Sequence, residues 1–317
     1  PAVLAISNKV SLQIVGEIDD TLEDVIAEWE SPDIDLAHDT RVVLHPDGHL
    51  IGYVIFYDAG HKEVPLIDLY VDPDRWATDQ TTAPYLFAWA EARARENLPE
   101  IPPDVRLALH AYTYSQDQWY QSELIRAGLT VIRHAFRMQI QLDSPPEPVA
   151  LPEGFTLRRV NHDDDWKPIL DCIRDAWRDH FGYIESPFDE HYARWQRHWQ
   201  DHFKPDLWLA ALDGETVAGV CLCMENFNDS PGFGWVSTLA VRRDYRRRGL
   251  AMALLRAAFT TLYDKGSTRV GLGVDASSLT GATRLYERAG MAVKIRYDLF
   301  EKELRPGTDT TTREAGE

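Results

Sequence analysis

Apolar positions in this chain follow two rhythms, and the switches between them mark the elements. From Phe155 to Val160 the pattern predicts a strand, and from Trp166 to His180 a helix whose first turn is favoured by Asp163 to Asp165. A second helical stretch runs from Glu190 to His202. Leu207 to Ala211 and Val217 to Asn226 read as a hairpin, and Gly232 to Val241 as the next strand. That strand ends in a basic turn, Arg242 to Arg248. A helix then opens on Gly249-Leu250-Ala251 and carries apolar residues at helical spacing to Asp264. Strand Arg269 to Val274, helix Thr280 to Ala289 and strand Val293 to Lys302 follow. Strands and helices in this order predict an α/β fold with a central mixed sheet flanked by helices.

The first half repeats the plan of the second. Asp47-Gly48 and Asp213-Gly214 each precede a strand as hairpin turns. Leu69 to Pro73 lies opposite Leu239 to Arg243, helix Ala83 to Glu96 opposite Ala251 to Asp264, and Leu124 to Leu129 opposite Tyr286 to Met291. Pro145, Pro146, Pro148 and Pro152 interrupt any regular element between the halves. The expected division is therefore a first domain at 1–144, a proline-rich linker at 145–152, a second domain at 153–304 and a flexible tail at 305–317. In the shared register Trp76 stands at the place of Arg246, Asp79 at Gly249, Thr81 at Ala251 and Leu124 at Tyr286.

Composition narrows the picture. A length of 317 residues fits two domains of about 150. No apolar run reaches the 18 or so residues of a membrane span, and the N-terminus lacks the pattern of a signal peptide. Only three cysteines occur, and Cys221 and Cys223 are placed poorly for a mutual disulfide, so a reducing, cytoplasmic setting is expected. A net charge of −18 argues against a nucleic-acid surface, despite the arginines of 242–248, and is compatible with cationic amine substrates.

The chemistry concentrates at the basic turn. A helix N-terminus offers unpaired amides and partial positive charge, so it draws phosphate. Gly249 and Ala251 let a ligand approach the backbone, and Arg246, Arg247 and Arg248 surround it with charge. Arg246, Gly249 and Ala251 fill the pattern R/Q-x-x-G-x-G/A. Downstream, the run from Ser278 through Gly281, Ala282, Leu285 and Tyr286 to Gly290 resembles N-x-T-G-A-x-x-L-Y-x-x-x-G-F, with Ser278 for Asn and Met291 for Phe. Together they resemble the acyl-CoA motifs of the GNAT superfamily of N-acetyltransferases. The tandem layout is similar to that of mycothiol synthase.

The resemblance implies two tandem GNAT-like domains, the first degenerate and non-catalytic, the second moving an acetyl group from acetyl-CoA to a primary amine of a small molecule. It assigns the amides from Arg247 to Ala251, including Leu250, to pyrophosphate, the main chain of Leu239, Ala240 and Val241 to pantetheine and the acetyl oxygen, and Ser278 to the cofactor arm. Tyr286 becomes the general acid for the coenzyme A sulfur, and Glu225 a candidate base, with Asp275 behind it. Trp177, Tyr183 and Tyr192 head an aromatic segment, running on to Trp195 and Trp199, that fits either an acceptor pocket or a core. No metal is expected, although His191, His198 and His202 share a helical face. No cysteine follows an activated-thiol motif, so direct transfer is expected over an acyl-cysteine. A protein N-terminus as acceptor, and a non-catalytic acyl-CoA-binding sensor or scaffold, stay open. A monomer is expected, since the two copies can satisfy each other's pairing surface.

Overall fold

The computed structural model describes residues 1–313 apart from 59, 148, 201–202 and 278–280. Two compact units emerge, and they do not follow the linear halves. Unit 1 comprises Pro1–Ala135 with Ile295–Thr310, and unit 2 comprises Phe136–Lys294 with Thr311–Glu317.

Unit 1 begins with α1 (Ala2–Val15), α2 (Leu22–Trp29) and the short α3 (Leu36–Asp39). Strands β1 (Thr40–Leu44), β2 (Leu50–Tyr57) and β3 (Leu66–Val71) lead into α4 (Thr82–Glu96), β4 (Leu107–Tyr114), α5 (Gln118–Arg126) and β5 (Thr130–Gln141). In unit 2, β6 (Phe155–Arg159) precedes α6 (His162–Trp177) and α7 (Phe188–Gln200). Strands β7 (Trp208–Asp213), β8 (Thr216–Met224) and β9 (Phe233–Val241) then lead to α8 (Leu250–Asp264), β10 (Arg269–Asp275), α9 (Ala282–Arg288) and β11 (Ala292–Arg305). A single 3-10 turn joins β3 to α4 (Pro73–Arg75) and β9 to α8 (Arg243–Tyr245), so the repeat read from the sequence is structural.

The final strand of each copy leaves its own unit. β11 pairs antiparallel with β4, from Tyr297↔Tyr114 to Arg305↔Leu107, and completes the unit 1 order β1-β2-β3-β4-β11. From Phe136 on, β5 lies beside β10 and completes the unit 2 order β5-β10-β9-β8-β7-β6. The boundary expected between 144 and 153 thus misplaces both strands. Hydrogen-bonding edges accept any strand that reaches them, and nothing local in a strand says which sheet it will join.

The expected flexible tail is also tied down through residue 312. In unit 1 the Thr308 amide donates to the Asp104 carbonyl (2.6 Å) and its own carbonyl accepts from Arg106 (2.9 Å). In unit 2 the Thr312 amide and carbonyl bond to Tyr183 and Gly182 (2.9 and 2.8 Å). Residues 314–317 lie outside the described residues.

Each unit has its own core. In unit 1, Leu86, Phe87, Ala90 and Ala94 of α4 pack on Ile67, Leu69 and Val71 of β3, Leu109 of β4 and Phe300 of β11. In unit 2, Leu250, Leu254, Leu255, Ala258, Phe259 and Leu262 of α8 cover the sheet beside Val220, Val270 and Leu272. Trp195 and Trp199 of α7 join Trp166 and Trp208 there, with ring centroids 5.1 to 5.2 Å apart in the Trp166–Trp195 and Trp199–Trp208 pairs. Those two tryptophans of the aromatic segment are core.

Unit 1 carries a pH signature. Burial, reinforced by Glu28 and Asp20, pushes the Asp68 carboxyl up to about 7 from its ordinary 3.8. The folded unit therefore holds this proton more tightly than the unfolded chain does. The stability it confers is complete below about pH 4 and is lost as pH rises through 7. Burial raises Asp20 and Glu28 in the same sense. The melting temperature is expected to fall between pH 5.5 and 8, and Asp68→Asn to reduce that slope in a calorimetric pH series. An unchanged slope would place the Asp68 proton in a solvent-like setting.

Candidate active site

Strand β9 sets the geometry. On one side it pairs antiparallel with β8, with Val241 opposite Gly219, Ala240 opposite Val220 and Leu239 opposite Cys221. On the other side it pairs in parallel with β10 only at Phe233↔Arg269, Gly234↔Val270 and Trp235↔Gly271. A side chain at Gly271 would meet the Trp235 ring at 2.7 Å, so glycine lets the indole close this last paired position. Beyond it the two strands part. From Val236 to Val241 the outer edge of β9 has no ladder partner on β10, and Leu239, Ala240 and Val241 lie on that parted stretch.

A bulge marks where the parting begins. Val236 faces Cys223 and Thr238 faces Leu222, which leaves Ser237 unmatched. The Ser237 hydroxyl is buried and has no hydrogen-bond partner among the described residues. A buried hydroxyl left without a partner costs about 1–3 kcal/mol, so its presence needs a reason. Sequence reading passed over Ser237, because a bulge is visible only once strand register is known.

The strand runs into the phosphate-type loop. Arg247 takes φ 61° and Gly249 φ 86°, so the chain turns through two left-handed residues before the α8 amides. Such conformations cost a non-glycine residue on the order of 1 kcal/mol or more and cluster at functional sites. Gly249 is the N-cap, and among the described residues no side chain caps α8. A β-carbon added at Gly249 would find its nearest atom, Pro152 Cγ, at 3.8 Å, so the approach to these amides is open. Gly249, Arg247 and Arg248 are exposed.

The arginines divide their labour differently from the sequence expectation. Asp171, Asp175 and Asp179, spaced by four along α6 and its continuation, face the loop in series. Arg242 pairs with Asp171 (2.7 Å), Arg243 with Asp175 (2.9 Å), and Arg246 with Asp179 while also donating to the Ala176 carbonyl (2.8 Å). Arg246 thus braces the loop against α6 instead of standing free beside it. Arg248 lies over the Tyr245 ring, 5.2 Å from its centroid. The Arg246–Asp179 pair is the most enclosed of the three, at 26% and 14% exposure. Removing one partner of an enclosed pair leaves the other uncompensated. Asp179→Ala is accordingly expected to weaken acetyl-CoA binding by roughly 10-fold in calorimetry, and Asp171→Ala, at an exposed pair, by less than about 3-fold.

Unit 1 shows the same seat filled. The Asp79 carboxylate accepts from the Thr81 and Thr82 amides (2.8 and 3.0 Å) and from the Thr82 hydroxyl (2.5 Å), capping α4 from within. Burial pushes Asp79 up, but these hydrogen bonds outweigh it and bring the carboxyl down to about 2. The Trp76 indole donates to the Val71 carbonyl (3.0 Å) and stacks on Trp119, centroids 4.7 Å apart. A carboxylate thus holds the amides at the start of α4, where α8 has no side-chain cap among the described residues.

Tyr286 lies on α9, buried at 8% exposure, in the unit 2 core. Burial, with the Cys221 sulfur as neighbour, holds its phenol well above the ordinary range. Cys221, whose sulfur acts on this phenol, faces Leu239 in register across the β8–β9 ladder. Glu225 follows β8 and is exposed. It stands four residues beyond Cys221, roughly 13 Å along an extended strand, at the closed end of the β9–β10 opening. Trp177 stacks with His180, centroids 6.0 Å apart. Burial and the nearby Arg246 lower His180, while Asp275 and Asp179 act to raise it. Tyr183 donates to Glu185 (3.0 Å), and Tyr192 stacks on Phe188 beneath Lys167. Ser278 lies outside the described residues, as does His202 of the histidine face. His191 contacts the Arg174 guanidinium (3.2 Å), and a cation there opposes a metal. Among the described residues one metal-type trio, His45, Asp47 and His49, stands in the β1–β2 turn of unit 1, where the Asp47 carboxylate accepts from the His49 amide (3.2 Å). All three cysteines are free and buried, and burial pushes the Cys172 thiol up to about 12, unlike an activated nucleophile.

Comparison with known proteins decides the family. Residues 169–291 match the acetyltransferase (GNAT) family. Over 98% of this chain and 94% of the other, the fold superposes on a GCN5-related N-acetyltransferase from Sphaerobacter thermophilus, with 30% identity and a TM-score of 0.82. The chain belongs to the GNAT family. Its two units are tandem GNAT-like α/β domains, each with a mixed sheet flanked by helices. Two further GNAT relatives are similar over part of the chain. N-alpha-acetyltransferase 30 of Schizosaccharomyces pombe is 24% identical over 127 residues, 40% of this chain and 82% of that protein. Mycothiol acetyltransferase of Corynebacterium aurimucosum is 33% identical over 92 residues, 29% of this chain and 30% of that protein. Among the described residues of this GNAT chain, no helix is long and apolar enough to cross a membrane.

Proposed function

We propose that unit 2 transfers an acetyl group from acetyl-CoA to the primary amine of a small molecule, by direct attack. One observation carries the reading: the parted edge of β9 leads, through the loop 242–249, to the uncapped N-terminus of α8. A strand edge with free amides and carbonyls suits an extended pantetheine arm, and a capless helix start suits its diphosphate. Family membership supports the acetyl chemistry. The filled seat of unit 1 supports a division in which only unit 2 takes the nucleotide.

In this reading the donor binds first along β9, and the amides from Arg247 to Ala251 hold its diphosphate. The amine nitrogen attacks the thioester carbonyl carbon, and main-chain donors near the Ser237 bulge steady the developing oxyanion. The carbon–sulfur bond then breaks. Tyr286 gives its proton to the departing sulfur, and the amine loses one to a base or to water. Tyr286 suits the role because its phenol stays protonated throughout the working pH range. Holding the two reactants together supplies the largest part of the rate, since aligned pairs reach effective molarities of about 10⁵ M or more. Glu225 is exposed, so water shares the role of base with it. Glu225→Gln is expected to lower kcat by less than about 10-fold, the mark of a base assisted by water.

Thiol release from acetyl-CoA over a panel of small amines and of peptides with free N-termini tests the reading. Turnover on small amines is expected. Turnover confined to peptides would instead favour a protein acceptor, the reading that the partial similarity to an N-alpha-acetyltransferase supports. Tight cofactor binding with no turnover on any amine would favour a sensor or scaffold.

A further inference from the structure

We propose that unit 1 carries its own ligand site, for a small organic cation, in the opening where β3 and β4 part. The proposal does not depend on the functional reading of unit 2. Strands β3 and β4 pair only at Leu66↔His110 and Ile67↔Ala111. Beyond those residues a cavity of about 190 Å³ opens, lined from β3, β4, α5 and β11, with Val10 of α1 at its side. Engineered cavities of about 150 Å³ accept benzene, so a ligand of roughly benzylamine's size fits.

The lining has one sign. Asp19, Asp68 and Asp117 contribute carboxyl groups, and among the described residues no lysine, arginine or histidine belongs to the wall. Two of these carboxylates have work inside the protein. Asp19 accepts the Tyr114 hydroxyl (2.5 Å), and Asp117 caps α5 by accepting the Tyr120 amide (2.8 Å). Asp68 differs. The charged groups acting on it, Glu28 and Asp20, are themselves acidic, and its hydrogen-bonding neighbour is the Tyr57 hydroxyl. That hydroxyl already spends its single proton on Glu28 (2.8 Å). A carboxyl held in acidic surroundings calls for a proton or for a cation from outside.

The rest of the wall suits the cation. The stacked Trp76–Trp119 pair and the tilted Tyr114–Tyr297 pair, centroids 5.3 Å apart, present aromatic surface to the space. Ring faces attract ammonium groups, and more strongly where water is thin. The buried Tyr120 hydroxyl, also in the wall, faces the Leu69 amide without making a well-formed hydrogen bond, so it is available to accept one from an ammonium. Aromatic packing alone would need no carboxyl at position 68. An anionic nucleotide is excluded from the neighbouring seat by Asp79, which already holds the α4 amides.

Titration of the full chain with benzylamine, and separately with benzyl alcohol and benzoate, tests the proposal by calorimetry and by tryptophan fluorescence from Trp76 and Trp119. Benzylammonium is expected to bind and change the emission, benzyl alcohol to bind at least about 10-fold more weakly, and benzoate not to bind. Asp68→Asn is expected to weaken benzylamine about 10-fold or more while leaving acetyl-CoA binding unchanged, which separates this site from the unit 2 cleft. Tyr120→Phe serves as a milder second variant, with an expected loss of several-fold. Benzylamine binding that ignores both substitutions, equal binding of the alcohol, or no binding at all would overturn the proposal.

Discussion

Gly249→Val should raise the dissociation constant of acetyl-CoA by roughly 100-fold while leaving the chain folded. The loss of affinity follows from what the new side chain blocks, whereas backbone strain, common to the free and bound chain, lowers stability instead. At φ 86° the backbone of Gly249 lies where a β-branched residue is strained by about 1–3 kcal/mol. The new side chain meets no protein atom closer than 3.8 Å at its β-carbon, so it is not forced into the core. It projects instead where a diphosphate must approach the α8 amides, and a loss of about 2.7 kcal/mol is 100-fold in affinity. Gly249→Ala, smaller and unbranched, should cost about 10-fold. Calorimetry with acetyl-CoA reads both, and circular dichroism checks that unit 2 stays intact. A valine variant that binds within 3-fold of the parent would mean that the diphosphate lies elsewhere.

Tyr286→Phe should lower kcat by about 10²- to 10⁴-fold and leave the acetyl-CoA dissociation constant unchanged. The substitution removes one oxygen from a buried ring and preserves its packing among the residues of the unit 2 core. Its effect therefore falls on proton delivery to sulfur. The pH behaviour gives an independent reading. Because burial holds the phenol above its ordinary range, the parent enzyme should not lose rate to deprotonation of Tyr286 as pH rises through 9. A loss of less than about 5-fold in the phenylalanine variant would make Tyr286 a packing residue and leave sulfur to be protonated by solvent.

The parts of this site that were readable beforehand are the parts written in consecutive residues. Gly249 and Ala251 stand at a helix start because small residues after an arginine-rich turn are a local pattern, and α8 does begin at Leu250. Trp76 and Asp79 marked unit 1 as different for the same reason, and the structure shows the chemistry: an internal carboxylate on the amides that α8 leaves bare. What sequence could not disclose depends on register or on partners brought from afar. Ser237 becomes notable only when Val236 and Thr238 are matched to Cys223 and Leu222. Asp171, Asp175 and Asp179 read as an ordinary acidic helix face until Arg242, Arg243 and Arg246 are seen against them, some 70 residues later in the chain. That ladder removed Arg246 from the free charges assigned to phosphate.

The aromatic segment shows the same limit. Trp195 and Trp199 share helical spacing with Tyr192, yet two pack against Trp166 and Trp208 while the third lies under Lys167. Periodicity names a face and leaves open what that face meets. The exchange of β5 and β11 was likewise invisible. Each strand has the pattern of a sheet's last member, and only the folded chain shows which sheet received it.

A crystal structure of the full chain grown with acetyl-CoA tests the central claim most directly. The diphosphate oxygens should lie within hydrogen-bonding distance of the main-chain amides between Arg247 and Ala251, with the pantetheine arm along Leu239 to Val241. Density for the nucleotide in unit 1, or against any other surface of unit 2, would contradict it.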